Sequence, residues 1–84
     1  MQITRESLLG YLQDNFGLDI TNIDDSTELF SDGLLDSFSV ADLLIFIEEK
    51  GKFVVEPDEI VYDNIDSVAK ILAYAHSKCE HASR

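Results

Sequence analysis

The residues with the clearest capacity for chemistry are an aspartate and the serine that follows it. They lie in the stretch Leu29-Phe30-Ser31-Asp32-Gly33-Leu34-Leu35-Asp36-Ser37-Phe38, where a loop gives way to a helix. The Ser37 hydroxyl has two readings at such a junction. As an N-cap it accepts a hydrogen bond from a first-turn amide and contributes about 1 kcal/mol. As a modification or nucleophile site it lies where free amides and the positive end of the helix dipole favour an attached phosphate. Gly33 supplies a backbone angle that a side-chain residue resists, and Leu34 and Leu35 are expected to fasten the loop end to the core. Asp36 puts a carboxylate beside the hydroxyl, where a metal-dependent transferase can use it; helix capping is its plainer role. A serine that attacks a carbonyl itself needs a nearby base, commonly a histidine oriented by a third group. The two histidines, His76 and His81, fall in the last helix and the tail, so no catalytic residue is assigned.

Two other groupings fail on their spacing. His76, Cys79 and His81 offer three ligands near the chain end, but a structural zinc site takes four and no fourth is in evidence. In the Asp-rich loop, placing Gly33 as the sixth residue of a calcium loop puts Glu28, Phe30 and Asp32 at the first, third and fifth positions. Phe30 cannot ligate. No metal site is expected.

The elements that position the Asp-Ser pair follow from periodicity. Thr4 is a fitting N-cap for a helix to Phe16, with Gly17 as the C′ residue and Leu8, Leu9, Leu12 and Phe16 on one face. Residues 18–36 read as a long loop pinned by Leu18, Ile20, Ile23, Leu29, Phe30, Leu34 and Leu35. Loops of such length are functional or disordered, and the apolar anchors favour function. The second helix is expected from Ser37 to about Lys50, with Gly51 near its end. Val40, Leu43, Leu44 and Ile47 face inward, while Asp42, Glu48 and Glu49 face water. Pro57 opens a short helix through Ile60-Val61-Tyr62. Asp66 is expected to cap the last helix, where Val68, Ile71, Leu72 and Ala75 share a face. Only residues 53–55 have strand character. The predicted fold is therefore all-α, a small four-helix bundle of three main helices and one short one, with a long first loop. One domain spans residues 1–84, its ordered core about 3–76 and its tail, 77–84, frayed.

Composition narrows the partners. The 84 residues carry 6 basic and 17 acidic side chains, a net charge of 6 − 17 = −11. So acidic a surface repels phosphate backbones and anionic lipid, which disfavours nucleic acid and membranes and favours basic protein patches. A chain this short buries about 60% of its unfolded surface, enough for a core and a surface site but hardly for a deep cleft. The 45% hydrophobic content is that of a globular protein. The single cysteine fits a reducing compartment, and no signal peptide or apolar run of roughly 20 residues is visible. A cytoplasmic monomer is expected.

The Asp-Ser segment and its surroundings resemble the acyl carrier and peptidyl carrier protein family. Asp36-Ser37-Phe38 matches the family's Asp-Ser-hydrophobe attachment motif, and Val40-Ala41-Asp42-Leu43 its following Val-x-acid-Leu pattern. Ile47-Glu48-Glu49 falls where the family has Leu-Glu-Glu, and Asn64-Ile65-Asp66-Ser67-Val68 resembles the opening of its last helix. The resemblance implies that Ser37 receives 4′-phosphopantetheine from coenzyme A through a phosphopantetheinyl transferase, supported by Asp36, Phe38 and Gly33. It implies a non-catalytic carrier whose cargo rides as a thioester on the arm. An adenylate-forming acyl or aminoacyl ligase would load it, and a downstream acyltransferase or synthase would unload it. Phe38 would then sit beside the arm, and Asp42, Glu48 and Glu49 would dock basic partners, unless they are merely a solvated face. Fatty-acid carriers read Gly-x-Asp-Ser, whereas Gly33-Leu34-Leu35-Asp36-Ser37 has two intervening residues. That spacing is more similar to stand-alone D-alanyl and other aminoacyl carriers. A fatty-acid or polyketide-type carrier stays open, as does an unmodified acidic interaction module, which would share the charge and the amphipathic helices.

Overall fold

The computed structural model describes residues 3–82, with the side chains of Ser37 and of residues 79–82 left out of the description. The first helix, α1 (Arg5–Phe16), starts at a reciprocal capping box. The Thr4 hydroxyl accepts from the Ser7 amide at 3.1 Å, and the Ser7 hydroxyl oxygen accepts from the Thr4 amide at 2.9 Å. It ends at Gly17, whose left-handed conformation (φ 68°) sends its amide back to the Gln13 carbonyl. Both ends lie where the sequence places them.

Helix α2 spans Ser37–Gly51 and carries Leu43 and Ile47 into the core. The expected inward residues Val40 and Leu44 are half-buried and pack on the same cluster. Phe46 joins them by stacking on Tyr11 of α1, with ring centroids 4.1 Å apart. The left-handed C-cap falls on Lys52 (φ 61°), while Gly51 stays helical. Position 51 needs glycine for a steric reason: a Cβ there would lie 2.3 Å from Phe53 Cε2. The glycine makes room for the ring, which packs edge-on against Tyr74.

The expected short helix from Pro57 through Tyr62 is split in two. A 3₁₀ turn covers Pro57–Glu59, and a one-turn helix, α3, covers Tyr62–Ile65. The turn closes on itself because the Glu59 carboxylate accepts from the Glu56 amide at 2.9 Å. Val61 is then extended, and the Asn64 side-chain amide donates to the Glu59 carbonyl at 2.8 Å, tying the two pieces together. The last helix, α4 (Val68–Ala82), buries Val68, Ile71 and Ala75. Its helical backbone runs to Ala82, and residues 83–84 lie outside the described residues. Glu59 also accepts from the buried Tyr74 hydroxyl at 3.0 Å and pairs with Lys78 at 2.9 Å, which fixes the 3₁₀ turn on α4.

The cap of α4 is a further correction. Asp66 does not cap this helix; the Ser67 hydroxyl does, accepting from the Lys70 amide at 3.1 Å. The next free amide, on Ala69, donates to the Asp25 carbonyl of the long loop at 2.9 Å. The first turn of α4 is thus satisfied partly by its own serine and partly by the loop. The architecture is the small all-helical bundle expected, with no strand among the described residues.

Burial of the loop separates Leu34 from Leu35. Leu35 is 5% exposed, whereas Leu34 is 40% exposed and does not fasten the loop. Replacing Leu35 with alanine is therefore expected to cost about 2–5 kcal/mol in urea unfolding. The same change at Leu34 should cost under about 1 kcal/mol. Equal losses would contradict this assignment of the anchor.

Candidate functional site

The segment leading to Ser37 is held by hydrogen bonds at three successive levels. At the first, the buried Asp66 carboxylate accepts from the Phe30 amide at 2.6 Å, the Ser31 amide at 3.1 Å and the Ser31 hydroxyl at 2.6 Å. The Asp66 carbonyl accepts from the Leu29 amide at 2.7 Å. Residues 29–31 are thus fixed to the junction of α3 and α4. At the second level the chain reverses: the Gly33 amide donates to the Phe30 carbonyl at 3.1 Å and the Leu35 amide to the Leu29 carbonyl at 2.8 Å. Gly33 has φ 80°, the left-handed angle the sequence suggested it would supply. At the third level the Asp36 carboxylate accepts from the Ser39 amide and the Ser39 hydroxyl, both at 3.0 Å.

The third level gives the cap of α2 to Asp36. Asp36 is the N-cap of α2, and Ser37 is the first helical residue. The N-cap hydrogen bond is thus made by the residue before Ser37. The first turn of α2 holds no acidic residue, which leaves the positive end of the dipole with Asp36 as its nearest acidic side chain in the chain.

Asp66 is ionised in a place where burial alone would raise its pKa. Hydrogen bonds from the Ser31 hydroxyl and the Phe30 and Ser31 amides, with Lys70 nearby, outweigh that and hold it below the usual carboxylate range. Beside this staple the Phe30 ring lies almost parallel to Tyr62 of α3, centroids 5.9 Å apart. The loop is therefore tied to α3 by an aromatic contact as well as a carboxylate.

The other expected site residues divide. Phe38 is 86% exposed, directly after Ser37. Asp42 and Glu49 are exposed, and the spacing Phe38, Asp42, Ile45, Glu49 puts all four on one stripe of α2. Ile45, 52% exposed, was missed by the sequence reading; stepping by three and four along the helix from Phe38 would have found it. Tyr11 lies near this stripe: burial first, then the negative charges of Asp42 and Glu49, raise its pKa. Glu48 does not join them. It is half-buried, and its carboxylate accepts from the Val55 amide at 2.8 Å, holding the link after α2. Of the grouping His76, Cys79 and His81, the last two side chains lie outside the described residues. No cluster of three metal-ligating side chains occurs among the described residues. No helix among them is long and apolar enough to cross a membrane.

A four-helix globule with a long first loop, here pinned to the core, is the layout that the periodicity predicts. No protein-family model matches the chain. It is similar to the D-alanyl carrier protein of Abiotrophia defectiva, 29% identical over 73 residues that cover 87% of this chain and 92% of that protein. This similarity supports a carrier-protein family relationship and a carrier role.

The staple yields a prediction about pH. A carboxylate with a depressed folded-state pKa contributes stability above its unfolded value of about 3.9, and that stability is lost as pH falls through the folded value. Asp66→Asn turns an amide donor toward the loop donors and should cost about 1–3 kcal/mol at pH 7. The gap to wild type should hold at pH 5–7 and narrow below about pH 4. A gap independent of pH down to pH 2, measured by urea unfolding, would contradict an ionised staple.

Proposed function

We propose that this chain is a phosphopantetheine-dependent carrier protein that holds an aminoacyl or acyl group as a thioester on an arm attached to Ser37. The observation that carries this reading is the division of labour at the start of α2. Asp36 supplies the cap, and Ser37 is the first helical residue, on a loop tied to the core and next to an exposed phenylalanine. In the modification the Ser37 oxygen bonds to the pantetheine-bearing phosphorus of coenzyme A. The pyrophosphate linkage breaks, 3′-phosphoadenosine 5′-phosphate leaves, and the serine proton passes to the transferase. A phosphodiester formed there lies at the favourable end of the α2 dipole.

Phosphopantetheine binds covalently, and the protein supplies presentation while its partners supply catalysis. Those partners are a phosphopantetheinyl transferase, an adenylate-forming ligase and a downstream acyltransferase or synthase. An aminoacyl cargo is favoured over a fatty acyl one by the spacing from Gly33 to Asp36, and by the similarity to a D-alanyl carrier protein. The partners dock on the stripe Phe38, Asp42, Ile45 and Glu49, in which acidic residues steer basic surfaces and apolar ones make contact. Glu48 is already engaged with the Val55 amide and has a smaller share in docking. We place the protein in the cytoplasm as a single-domain monomer, with Gly33 shaping the loop.

Intact mass after incubation with coenzyme A, magnesium and a broad-specificity phosphopantetheinyl transferase tests this reading. Wild type should gain one phosphopantetheinyl group and Ser37→Ala none. No gain by folded wild type, with a control carrier modified in parallel, would leave an unmodified acidic interaction module.

Docking has its own readout. Asp42→Lys should raise the transferase KM severalfold at low salt, and the difference should shrink as ionic strength rises. An unchanged KM at low salt would remove Asp42 from the docking stripe.

A further inference from the structure

We infer that Asp66, together with Ser31, is the positioning residue of the attachment segment: it sets where the Ser37 backbone lies when a transferase acts on it. This rests on Ser37 being the attachment site. Asp66 is remote in sequence, at the C-terminal end of α3, yet four hydrogen bonds from residues 29–31 converge on its carboxylate and carbonyl. Five residues separate Ser31 from Ser37. That interval is closed by Gly33 donating to the Phe30 carbonyl and Leu35 to the Leu29 carbonyl. Each acceptor belongs to a residue that Asp66 itself holds. The path from Asp66 to the N-cap Asp36 is therefore a short relay of backbone groups, anchored at one carboxylate.

The staple sits at one edge of the core, and most of the helix packing is made by other residues. Leu8, Leu12, Leu43, Ile47, Val68 and Ile71 are fully buried, and none of them makes one of the staple's hydrogen bonds. Loss of one donor to Asp66 leaves that packing in place but frees the turn 29–36. Phosphoryl transfer depends on placing the hydroxyl in line with phosphorus, and a displacement of about 1 Å can cost on the order of 100-fold. Docking uses exposed residues of α2 that the staple does not touch. The staple should therefore act on kcat and leave KM alone.

The choice of variants separates positioning from folding. Ser31 is exposed as a residue, so Ser31→Ala removes one hydroxyl donor at little risk to the core, and Ser31→Thr keeps that donor. Asp66→Asn places an amide donor against the loop donors.

The test measures transferase kcat and KM by intact mass, with the folded fraction of each variant from urea unfolding and hydrogen exchange at the amides of residues 29–37. Ser31→Ala should lower kcat about threefold or more and Asp66→Asn about tenfold or more, with KM within about twofold. Ser31→Thr should restore kcat, and exchange should rise in residues 29–37 but not in α1. Loss of kcat no greater than the unfolded fraction, or an effect confined to KM, overturns the inference. Should Asp66→Asn fail to fold, the contrast of Ser31→Ala with Ser31→Thr decides alone. Failure of wild type to be modified at all would instead remove the reading of Ser37 on which the inference depends.

Discussion

The loop that leads to Ser37 depends on a buried charge. Removing the Asp66 carboxylate from water is costly unless its lone pairs are taken up, and here two amides and a hydroxyl take them up. The exchange serves both sides. Phe30 and Leu29 are buried, and their amides would otherwise need partners that a loop cannot provide from its own backbone. One side chain thus orders a loop that joins two helices which its own element does not adjoin in sequence. The Asp25 carbonyl repeats the arrangement in reverse, satisfying an orphan amide of α4. Loop and last helix complete each other.

This mutual dependence explains how a long irregular segment can deliver a serine to a defined position. Ordering each loop residue costs about 1–2 kcal/mol of backbone entropy, so the loop stays ordered only where its anchors offset that cost. Leu29, Phe30 and Leu35 supply apolar burial, and the staple supplies direction. Local turns built on Asp19 and Asp24, each accepting from hydroxyls and amides two and three residues ahead, shape the part of the loop farther from Ser37. The Arg5–Asp25 pair at 2.6 Å adds little, since both side chains are about half exposed.

The outer surface is organised along α2. Apolar and acidic residues alternate on the stripe that begins at Phe38, a composition suited to partners whose basic groups surround an apolar patch. Glu48 shows how charge can mislead: a carboxylate at the expected place on the helix is spent on the Val55 amide. Likewise the 3₁₀ turn is fastened by Glu59 to Tyr74 and Lys78, so part of the acidic surface is internal scaffolding.

The sequence by itself determined the three long helices, their main ends and most of the core. Those are local properties: Thr4 and Gly17 act within a turn, and the spacing of Leu8, Leu12, Leu43 and Ile47 defines faces wherever the helices pack. It also marked Gly33, because a left-handed angle is a property of one residue. Tertiary structure alone decided the roles of side chains whose partners are far along the chain. Asp66 reads as a cap, and only the approach of residues 29–31 turned it into a staple and left the cap to Ser67. Leu34 and Leu35 look equivalent until Gly33 turns the chain and buries one of them. Gly51 is required by the Phe53 ring over it, while the left-handed position falls on Lys52. In each case the deciding contact joins groups that periodicity cannot relate, since hydrogen bonds and packing depend on distance in space and sequence patterns on distance along the chain.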